Sequence, residues 1–319
     1  MHRRHLLAGL TLAAGPAAAQ SWPDRPIRII VPFGPGSSAD VLGRLMAEPL
    51  GRRLGQPVIC ENRAGAAGNI AAEAVARLPP DGYGLLLATI GTQSVNRHLY
   101  VRLPYDPDQD FTPISHLWNS VNVMAVSAES PWRTVGEVIA AGRERGRLTF
   151  GSPGTGTSDH MASSLFGIRS GLTLEHVPYR GGSAAVQVDL IANRLDFTIG
   201  NVPALMGGIT GGRIRPLAVA YATRWPSLPG VPTMEEAGVA DLVVPSWHAL
   251  VAPRGLPAAI QDRLAAATAA TVTEPAFRAR ILELGSVPVA STPAGLVAFT
   301  AEESTRYGAL IRQLGIRAD

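Results

Sequence analysis

The sequence contains little of what several protein classes require. It has one cysteine, Cys60, among 319 residues, so an internal disulfide is excluded. The position of Cys60 at the end of a predicted strand indicates a small buried hydrophobic side chain. It has no lysine, and its 28 basic residues are scattered arginines that are not interleaved with aromatic residues, which argues against nucleic-acid binding. No apolar run reaches the roughly 20 residues that a membrane-spanning helix needs.

Several sequence patterns of enzymes are absent as well. There is no Gly-x-x-x-x-Gly-Lys phosphate loop, no full dinucleotide fingerprint, no Gly-x-Ser-x-Gly elbow and no His-Glu-x-x-His helix. Ser158, Asp159 and His160 are neighbours at a helix start, so their side chains point in different directions and cannot form a hydrolase relay. The sequence therefore predicts no enzyme activity, no catalytic residues, no cofactor and no metal site.

The first 19 residues have the pattern of a secretory signal peptide. Arg3 and Arg4 precede the apolar run Leu6–Ala14, and Ala17–Ala19 supplies the small residues of a cleavage site. Cleavage after Ala19 is expected, which predicts that the mature protein is periplasmic. Ordinary secretion is favoured, and the paired arginines also admit twin-arginine export.

The chain is long enough for two domains, and its predicted elements alternate. A chain of 319 residues exceeds the size at which a single hydrophobic core is usual. Strand patterns alternate with helix patterns through short loops, which predicts an α/β fold with a mainly parallel sheet. Ligands of such sheets bind at the carboxyl ends of the strands, where this sequence has three polar loops, at 32–40, 62–69 and 89–96.

The segment from Val31 to Asp40 is expected to form one side of a binding site. The β-branched run Ile27–Val31 predicts a buried strand that the following prolines and glycines end. Ser37, Ser38 or Asp40 can then cap a helix. Because the first N–H groups of a helix have no partner within it, this helix start is a ready anion site.

A second segment repeats this pattern. Residues 177–185, Val-Pro-Tyr-Arg-Gly-Gly-Ser-Ala-Ala, align without a gap on residues 31–39, and a helical apolar pattern follows both. The match predicts that each of two lobes presents an aromatic side chain and a helix N-terminus to a shared cleft. Chance similarity of turn residues is the alternative.

Two extended segments are expected to connect the lobes. Phe111–Val126 is the first crossover and Ser246–Ala252 is the return. The chain then divides into lobe 1 at residues 20–122, lobe 2 at 123–244 and a return to lobe 1 at 245–319. Two hinge strands permit the lobes to close around a ligand.

Several short motifs occur in a fixed order along nearly the whole mature chain. They are Trp22–Ile27, Val31–Phe33, Glu61–Gly65, Gly151–Thr157, His176–Gly181, Leu228–Thr233 and Ser246–Trp247. Together these motifs resemble the Bug-type (tripartite tricarboxylate transporter) periplasmic substrate-binding proteins. The resemblance implies a two-lobe Venus-flytrap fold, type II-like, a carboxylate ligand and delivery of that ligand to a membrane permease.

The sequence departs from the family pattern in three loops. Ser37 follows Gly36 where the family usually has a second glycine. Gln93 follows Thr92 where it often has a histidine, and the pair Ala66–Ala67 stands where a glycine is common. These loops are expected to face the ligand, so the departures bear on the substrate more than on the fold.

The candidate site residues are those that can hold a carboxylate without a buried arginine, through backbone N–H groups, hydroxyls and water. They are Phe33, Gly36, Ser37, Ser38, Asp40, Asn69, Thr89, Thr92, Gly154, Thr155, Gly156, Thr157, His160, Tyr179 and Asn201. Phe33 and Tyr179 are expected as apolar walls, with core packing as the alternative. Helix capping is the alternative for the hydroxyls. For Asp40 and His160, hydrogen bonding within the protein is favoured over ligand contact.

The sequence thus predicts a periplasmic solute-binding protein, monomeric, that captures a small carboxylate between two lobes. A di- or tricarboxylate, an amino acid and an aromatic acid all remain open as the ligand. The expected partner is the permease of a tripartite tricarboxylate-type transporter. A periplasmic ligand sensor for a signalling receptor is the alternative, and a periplasmic hydrolase is the less favoured one.

Overall fold

The computed structural model describes residues 22–318, and the predicted signal peptide at 1–19 lies outside them. Within 22–318, no helix combines the length and the apolar character needed to cross a membrane. The described chain forms two lobes with two connections between them, which is the arrangement that the sequence predicts.

The elements follow the predicted alternation of strands and helices. Before the first connection they are β1 Ile27–Val31, α1 Ser38–Leu54, β2 Val58–Asn62, a 3₁₀ turn Ala66–Gly68, α2 Asn69–Ala76, β3 Gly84–Thr89, a π-helical turn Gly91–Val95, α3 Asn96–Leu99 and β4 Phe111–Ser120. In the second lobe they are β5 Asn122–Ser127, α4 Val135–Arg145, β6 Leu148–Ser152, α5 Ser158–Ser170, β7 Leu174–Pro178, α6 Ser183–Ile191, β8 Thr198–Asn201, α7 Val202–Thr210 and β9 Ile214–Val219. After the return they are β10 Ser246–Pro253, α8 Ala258–Val272, α9 Pro275–Glu283, β11 Ser286–Pro288 and α10 Pro293–Leu314.

The sheet of the first lobe is mixed, which corrects the expectation of a mainly parallel sheet. Its strand order is β11-β4-β10-β3-β1-β2, and only the pairs β1–β2 and β1–β3 are parallel. β10 runs antiparallel to both β3 and β4, and β11 runs antiparallel to β4. The cause is the connection between the lobes, because β4 leaves the first lobe, β10 enters it, and the two strands lie side by side.

The second lobe contains the remaining strands in two described groups. β5 lies between β8 and β9 and is antiparallel to both, and β6 pairs with β7 in parallel. A parallel bridge between Phe150 and Phe197 joins the two groups. The rings of Phe150, Phe166 and Phe197 pack together at the centre of this lobe, with centroid distances of 5.5 and 5.9 Å from Phe197 to its two neighbours.

The connections between the lobes lie next to each other. β4 ends at Ser120 in one sheet and β5 begins at Asn122 in the other. The returning chain passes Val244 and enters the first lobe at Ser246, which pairs with Ser120. The Asn122 Nδ2 group donates a hydrogen bond to the Val244 carbonyl oxygen at 2.9 Å, so the two connections are bonded to each other. The predicted lobe limits at 122 and 244 fall beside this pair, and as limits they stay a prediction.

The segment 89–96, expected as a polar loop, is mostly helical. The π-helical turn continues directly into α3, and residues 91–95 are all buried. Buried backbone N–H and C=O groups need partners, and helical hydrogen bonds supply them locally where water cannot. The polar composition therefore misled the prediction, because these polar side chains are inside the protein.

Candidate ligand-binding site

A cavity lies between the two lobes, where β1, β3, β6 and β8 end. The open space among its lining atoms, including the part that is continuous with solvent, is about 410 Å³. Six predicted site residues line it, namely Phe33, Ser37, Ser38, Thr89, Thr157 and Asn201. The structure thus places candidates from both lobes around one space, and their contact with a ligand stays a prediction.

Helix α1 presents its N-terminus to this cavity. The Oγ of Ser37 caps the helix by accepting a hydrogen bond from the backbone N–H of Asp40 at 3.2 Å. Gly36 precedes the cap with φ +78°, a left-handed value that glycine adopts without steric cost. The first-turn residues Ser38 and Ala39 line the cavity, and helix geometry leaves their N–H groups without partners within the helix.

Helix α5 does the same from the second lobe. Thr157 is its N-cap, and the Oγ1 of Thr157 accepts from the backbone N–H of His160 at 3.3 Å. The same hydroxyl donates to the Gly154 carbonyl oxygen at 2.8 Å. The Thr157 hydroxyl therefore serves as a cap, whereas the first-turn residues Ser158 and Asp159 line the cavity.

The loops before α1 and α5 have the same conformation. The N-cap φ and ψ are −69° and 159° at Ser37, and −70° and 158° at Thr157. In both loops the glycine before the cap donates its N–H to the side chain four residues later. The predicted repeat at 177–185 has a different helix cap, because Gly182 caps α6 without a side-chain hydrogen bond. Ser183 at the start of α6 does line the cavity, as the repeat led us to expect of this helix N-terminus, and the repeat itself stays a prediction.

Two more helices of the second lobe begin at the cavity. Ser183 is the first residue of α6, Asn201 is the N-cap of α7, and both line the wall. The positive ends of four helix dipoles therefore surround one space. No arginine of the described chain lines it. The attraction for an anion thus comes from backbone dipoles and neutral donors.

One hydroxyl in the wall has no protein partner. Ser38 is 5% exposed, and its Oγ makes no hydrogen bond within the described residues. A buried hydroxyl without a partner costs free energy that a bound acceptor would recover. A bound carboxylate that reaches the enclosed Ser38 hydroxyl would supply the missing acceptor.

His248, which the sequence analysis did not select, adds a second donor. The indole N–H of Trp118 donates to Nδ1 of His248 at 2.9 Å. Burial lowers the pKa of His248 to about 3, so the ring is neutral and its one proton lies on Nε2. Nε2 has no hydrogen-bond partner within residues 22–318, and His248 lines the cavity. The alternation of side chains along β10 could have indicated His248. Trp247 faces Glu303 of α10, so the next side chain, that of His248, faces the opposite side of the sheet.

Asp159 is a second site residue that the sequence analysis did not select. Its carboxyl group lies in the wall and is 6% exposed. Burial raises the pKa of Asp159 to about 7. Hydrogen bonds from Ser158 Oγ at 3.1 Å and Asn201 Nδ2 at 3.0 Å favour the ionised form and so reduce this increase. Ser246 likewise lines the cavity and was not predicted.

A second opening lies outside the cavity and shares Phe33 with it. The space between its atoms is about 870 Å³. Three further predicted residues line this outer opening, namely Gly154, Thr155 and Tyr179. The Tyr179 hydroxyl donates to Asp189 at 2.6 Å, so its ring stands at the entrance with its polar end occupied.

The other predicted side chains lie outside both spaces. The carboxylate of Asp40 accepts from Gly36 N–H, Arg44 and Asn62, as favoured from the sequence. His160 accepts from a loop N–H and its ring lies 4.2 Å from that of His176, centroid to centroid.

The polar groups of Asn69 and Thr92 are also occupied within the protein. Asn69 Oδ1 accepts from Asn96 and Tyr105. The Thr92 hydroxyl donates to the carbonyl oxygen of Thr89 at 3.1 Å. These side chains hold the first-lobe loops in place, and neither lines the cavity.

Glycines bring the lobes into contact around the cavity. A methyl group at Gly34 would lie 3.3 Å from the carbonyl oxygen of Gly181, and one at Gly36 would lie 3.6 Å from the Cβ of Ala184. A methyl group at Gly156 would lie 2.6 Å from Leu99 in the first lobe. The structure is therefore closed, and the contact at Gly156 has no room for a side chain.

Comparison with known proteins identifies the family. The sequence profile described as "Tripartite tricarboxylate transporter family receptor" matches residues 42–316. The chain belongs to this family. The resemblance seen in the sequence is thereby confirmed.

Relatives of this chain match along almost their whole length. A "UPF0065 protein in tcbD-tcbE intergenic region" of Pseudomonas sp. (strain P51) is 36% identical, over 99% of this chain and 96% of its own. "Protein BugT" of Bordetella pertussis is 34% identical, over 95% of this chain and 94% of its own.

Solved structures confirm the two-lobe periplasmic binding protein fold. R. palustris Rpa4515 with adipate is 36% identical, with a TM-score of 0.90, over 93% of this chain and 99% of its own. MatC from Rhodopseudomonas palustris with bound malate is 28% identical, with a TM-score of 0.85, over 91% and 100% of the two chains. Two members of the family are thus known with carboxylates bound.

Proposed function

We propose that this protein is an exported, monomeric solute-binding protein that closes its lobes on a small carboxylate and delivers it to the permease of a tripartite tricarboxylate-type transporter. The observation that carries the proposal is the convergence of the α1 and α5 N-termini, one from each lobe, on a cavity with free donors. The adipate and malate found in related proteins support a carboxylate as the ligand.

The donor set suits a small anion such as a carboxylate. First-turn N–H groups of four helices, the Ser38 hydroxyl and the Nε2–H of His248 are short-range, neutral donors around one cavity. Several such donors can share one negative charge, and the low dielectric of a closed cavity strengthens each hydrogen bond. A small anion would therefore accept hydrogen bonds from donors that have no partner in the closed protein.

Closure follows from the placement of the donors. Because α1 belongs to one lobe and α5 to the other, a ligand that contacts both stabilises the closed form over the open form. The bonded pair of connections at Asn122 and Val244 is the expected hinge. A permease that recognises the closed form would then receive only loaded protein.

The proposal is tested by ligand binding to the mature chain after removal of co-purified ligand by unfolding and refolding. A panel of small carboxylates, amino acids and nucleotides is screened by thermal unfolding. A ligand at about one hundred times its dissociation constant adds roughly 2.7 kcal/mol of stability, which is easily seen. No shift with any carboxylate would refute the proposal.

Ser38→Ala then tests the site. Its affinity for the ligand found should fall about tenfold to a hundredfold, because a hydrogen bond to a charged group contributes roughly 1.5–3 kcal/mol. Ser163→Ala is the matched control: its Oγ is also buried without a partner, and Ser163 does not line the cavity. Equal affinity of the two variants would count against this placement of the carboxylate.

A further inference from the structure

Asp159 stands out on the cavity wall. Among residues 22–318 it is the one acidic side chain that lines the cavity, and no arginine lines it. A protein that binds anions through backbone dipoles gains nothing from a carboxylate at this position, because two negative charges in a closed space repel. Asp159 therefore needs an explanation beyond carboxylate binding.

The two oxygens of this carboxyl group differ in their surroundings. Oδ1 accepts from the hydroxyl of Ser158 at 3.1 Å and from Nδ2 of Asn201 at 3.0 Å. Oδ2 accepts no side-chain hydrogen bond within the described residues, and it lies beside Gly200, where a methyl group would be 3.3 Å away. The backbone N–H of the next residue, Asn201, is a further neighbour of the carboxyl group. Asp159 lines the cavity and is 6% exposed, so a ligand there can reach its carboxyl group.

The cavity thus has donors on one part of its wall and an acceptor on another. Ser38 and His248 lie in the first lobe, and the acceptor Oδ2 lies in the second. Burial raises the pKa of Asp159, because no cation of the protein compensates its charge. A ligand that brings its own N–H or O–H group would supply the missing partner.

We propose that Asp159 is a specificity-determining residue that selects carboxylates carrying a hydrogen-bond donor, an ammonium or a hydroxyl group, over carboxylates without one. The inference rests on the proposed function, because it concerns the ligand of the same cavity. In the complex, the carboxylate lies at the helix N-termini and the donor of the ligand points to Asp159 Oδ2.

The experiment compares ligands that share one carbon skeleton. Aspartate, malate and succinate differ only in an ammonium group, a hydroxyl group or neither, and glutamate, 2-hydroxyglutarate and glutarate repeat the comparison with one more carbon. Calorimetric titration should show that the protein prefers the donor-bearing members by about tenfold to a hundredfold, the range expected for a hydrogen bond to a charged acceptor.

Two variants assign the preference to Asp159. Asp159→Ala should remove it, leaving the donor-free ligand bound as well as or better than before. Asp159→Asn keeps a neutral acceptor, so it should reduce the preference for an ammonium group more than that for a hydroxyl group, which distinguishes the two donors. Asp196→Asn is the control, since Asp196 bonds to Thr149 and Arg145 away from the cavity and should leave the preference unchanged.

The outcomes separate this inference from the proposed function. If a donor-free carboxylate binds the natural protein as tightly as its donor-bearing partners, or if Asp159→Ala keeps the preference, the role of Asp159 is refuted while carboxylate binding stands. If no member of either series binds and no carboxylate shifts the unfolding temperature, the proposed function fails and this inference fails with it.

Discussion

Replacing Gly36 by leucine tests whether closure of the lobes controls ligand affinity. In the closed structure a Cβ at Gly36 lies 3.6 Å from the Cβ of Ala184 on the opposite lobe, which is ordinary contact. Alanine therefore fits at Gly36, whereas the branched end of leucine extends into α6. The collision exists only when the lobes are closed, so leucine should disfavour that form specifically.

The magnitude has two parts. A side chain at Gly36, whose φ is +78°, costs roughly 1–2 kcal/mol of backbone strain, and alanine and leucine share this cost. Overpacking of an interface adds about 1–3 kcal/mol for leucine alone. Because a ligand must offset this penalty to close the lobes, its dissociation constant should rise about fivefold to 150-fold in Gly36→Leu relative to Gly36→Ala.

Gly55, at the other end of the same helix, provides the control. Its φ is +81°, and an added Cβ there meets no atom within 4 Å. Gly55→Ala and Gly55→Leu therefore carry the same backbone strain without touching the second lobe. Both should lower the unfolding temperature and leave the affinity unchanged.

The measurements are calorimetric titration of each variant and small-angle X-ray scattering with and without ligand. Gly36→Leu should remain extended at ligand concentrations that compact the natural protein. If Gly36→Leu binds as tightly as Gly36→Ala, or compacts equally, closure through this contact does not control affinity and the reasoning is refuted.

Two further predictions concern buried titratable groups. Burial lowers the pKa of His160 and of His248 to about 3, so between about pH 3 and pH 6.5 the unfolded chain binds protons that the folded chain does not. The free energy of unfolding should therefore fall as the pH falls through this range, by about 2 kcal/mol for each histidine at pH 5. Asp159 partly offsets this loss, because its raised pKa makes the folded chain bind a proton that the unfolded chain does not. Urea unfolding at pH 5 and pH 8 measures the change, and equal free energies of unfolding would contradict the prediction. Burial also raises the pKa of Cys60 to about 11, so a maleimide should label the folded protein far more slowly than the urea-unfolded protein at pH 7.5, and equal rates would contradict the burial.

The parts of the fold that the sequence predicts well are those set by local signals. The strand Ile27–Val31 has the bounds expected from its β-branched residues, and Ser37 is one of the three caps considered for α1. The return segment at 246–252, expected to be extended, is strand β10, whose apolar residues from 249 to 252 suit a buried strand in isolation as well as in the sheet. The direction of β10 relative to β3 is not encoded locally, and this is why the mixed sheet was missed.

The site was only partly predictable for a related reason. Ser38, Thr89 and Asn201 follow strands or begin helices, so local rules selected them. His248 and Asp159 line one cavity only because distant segments of the chain converge there. The loops before α1 and α5 share backbone angles and the pattern Gly-x-Gly-(Ser/Thr)-Ser, at 34–38 and 154–158, so a comparison of these two segments could have found their equivalence.

The bonded connections between the lobes restrict how the protein can move. β4 and β10 are paired up to Ser120 and Ser246, and beyond them Asn122 joins Val244. Two bonded strands bend out of their common plane more easily than within it, so the lobes should swing along one path and resist twisting. Asn201 bonds to Asn122 as well as to Asp159, so the wall of the cavity and the axis of that swing share one side chain. We therefore expect a ligand in the cavity to act on the hydrogen bonds of the proposed hinge through Asn201, so that binding and lobe opening are coupled.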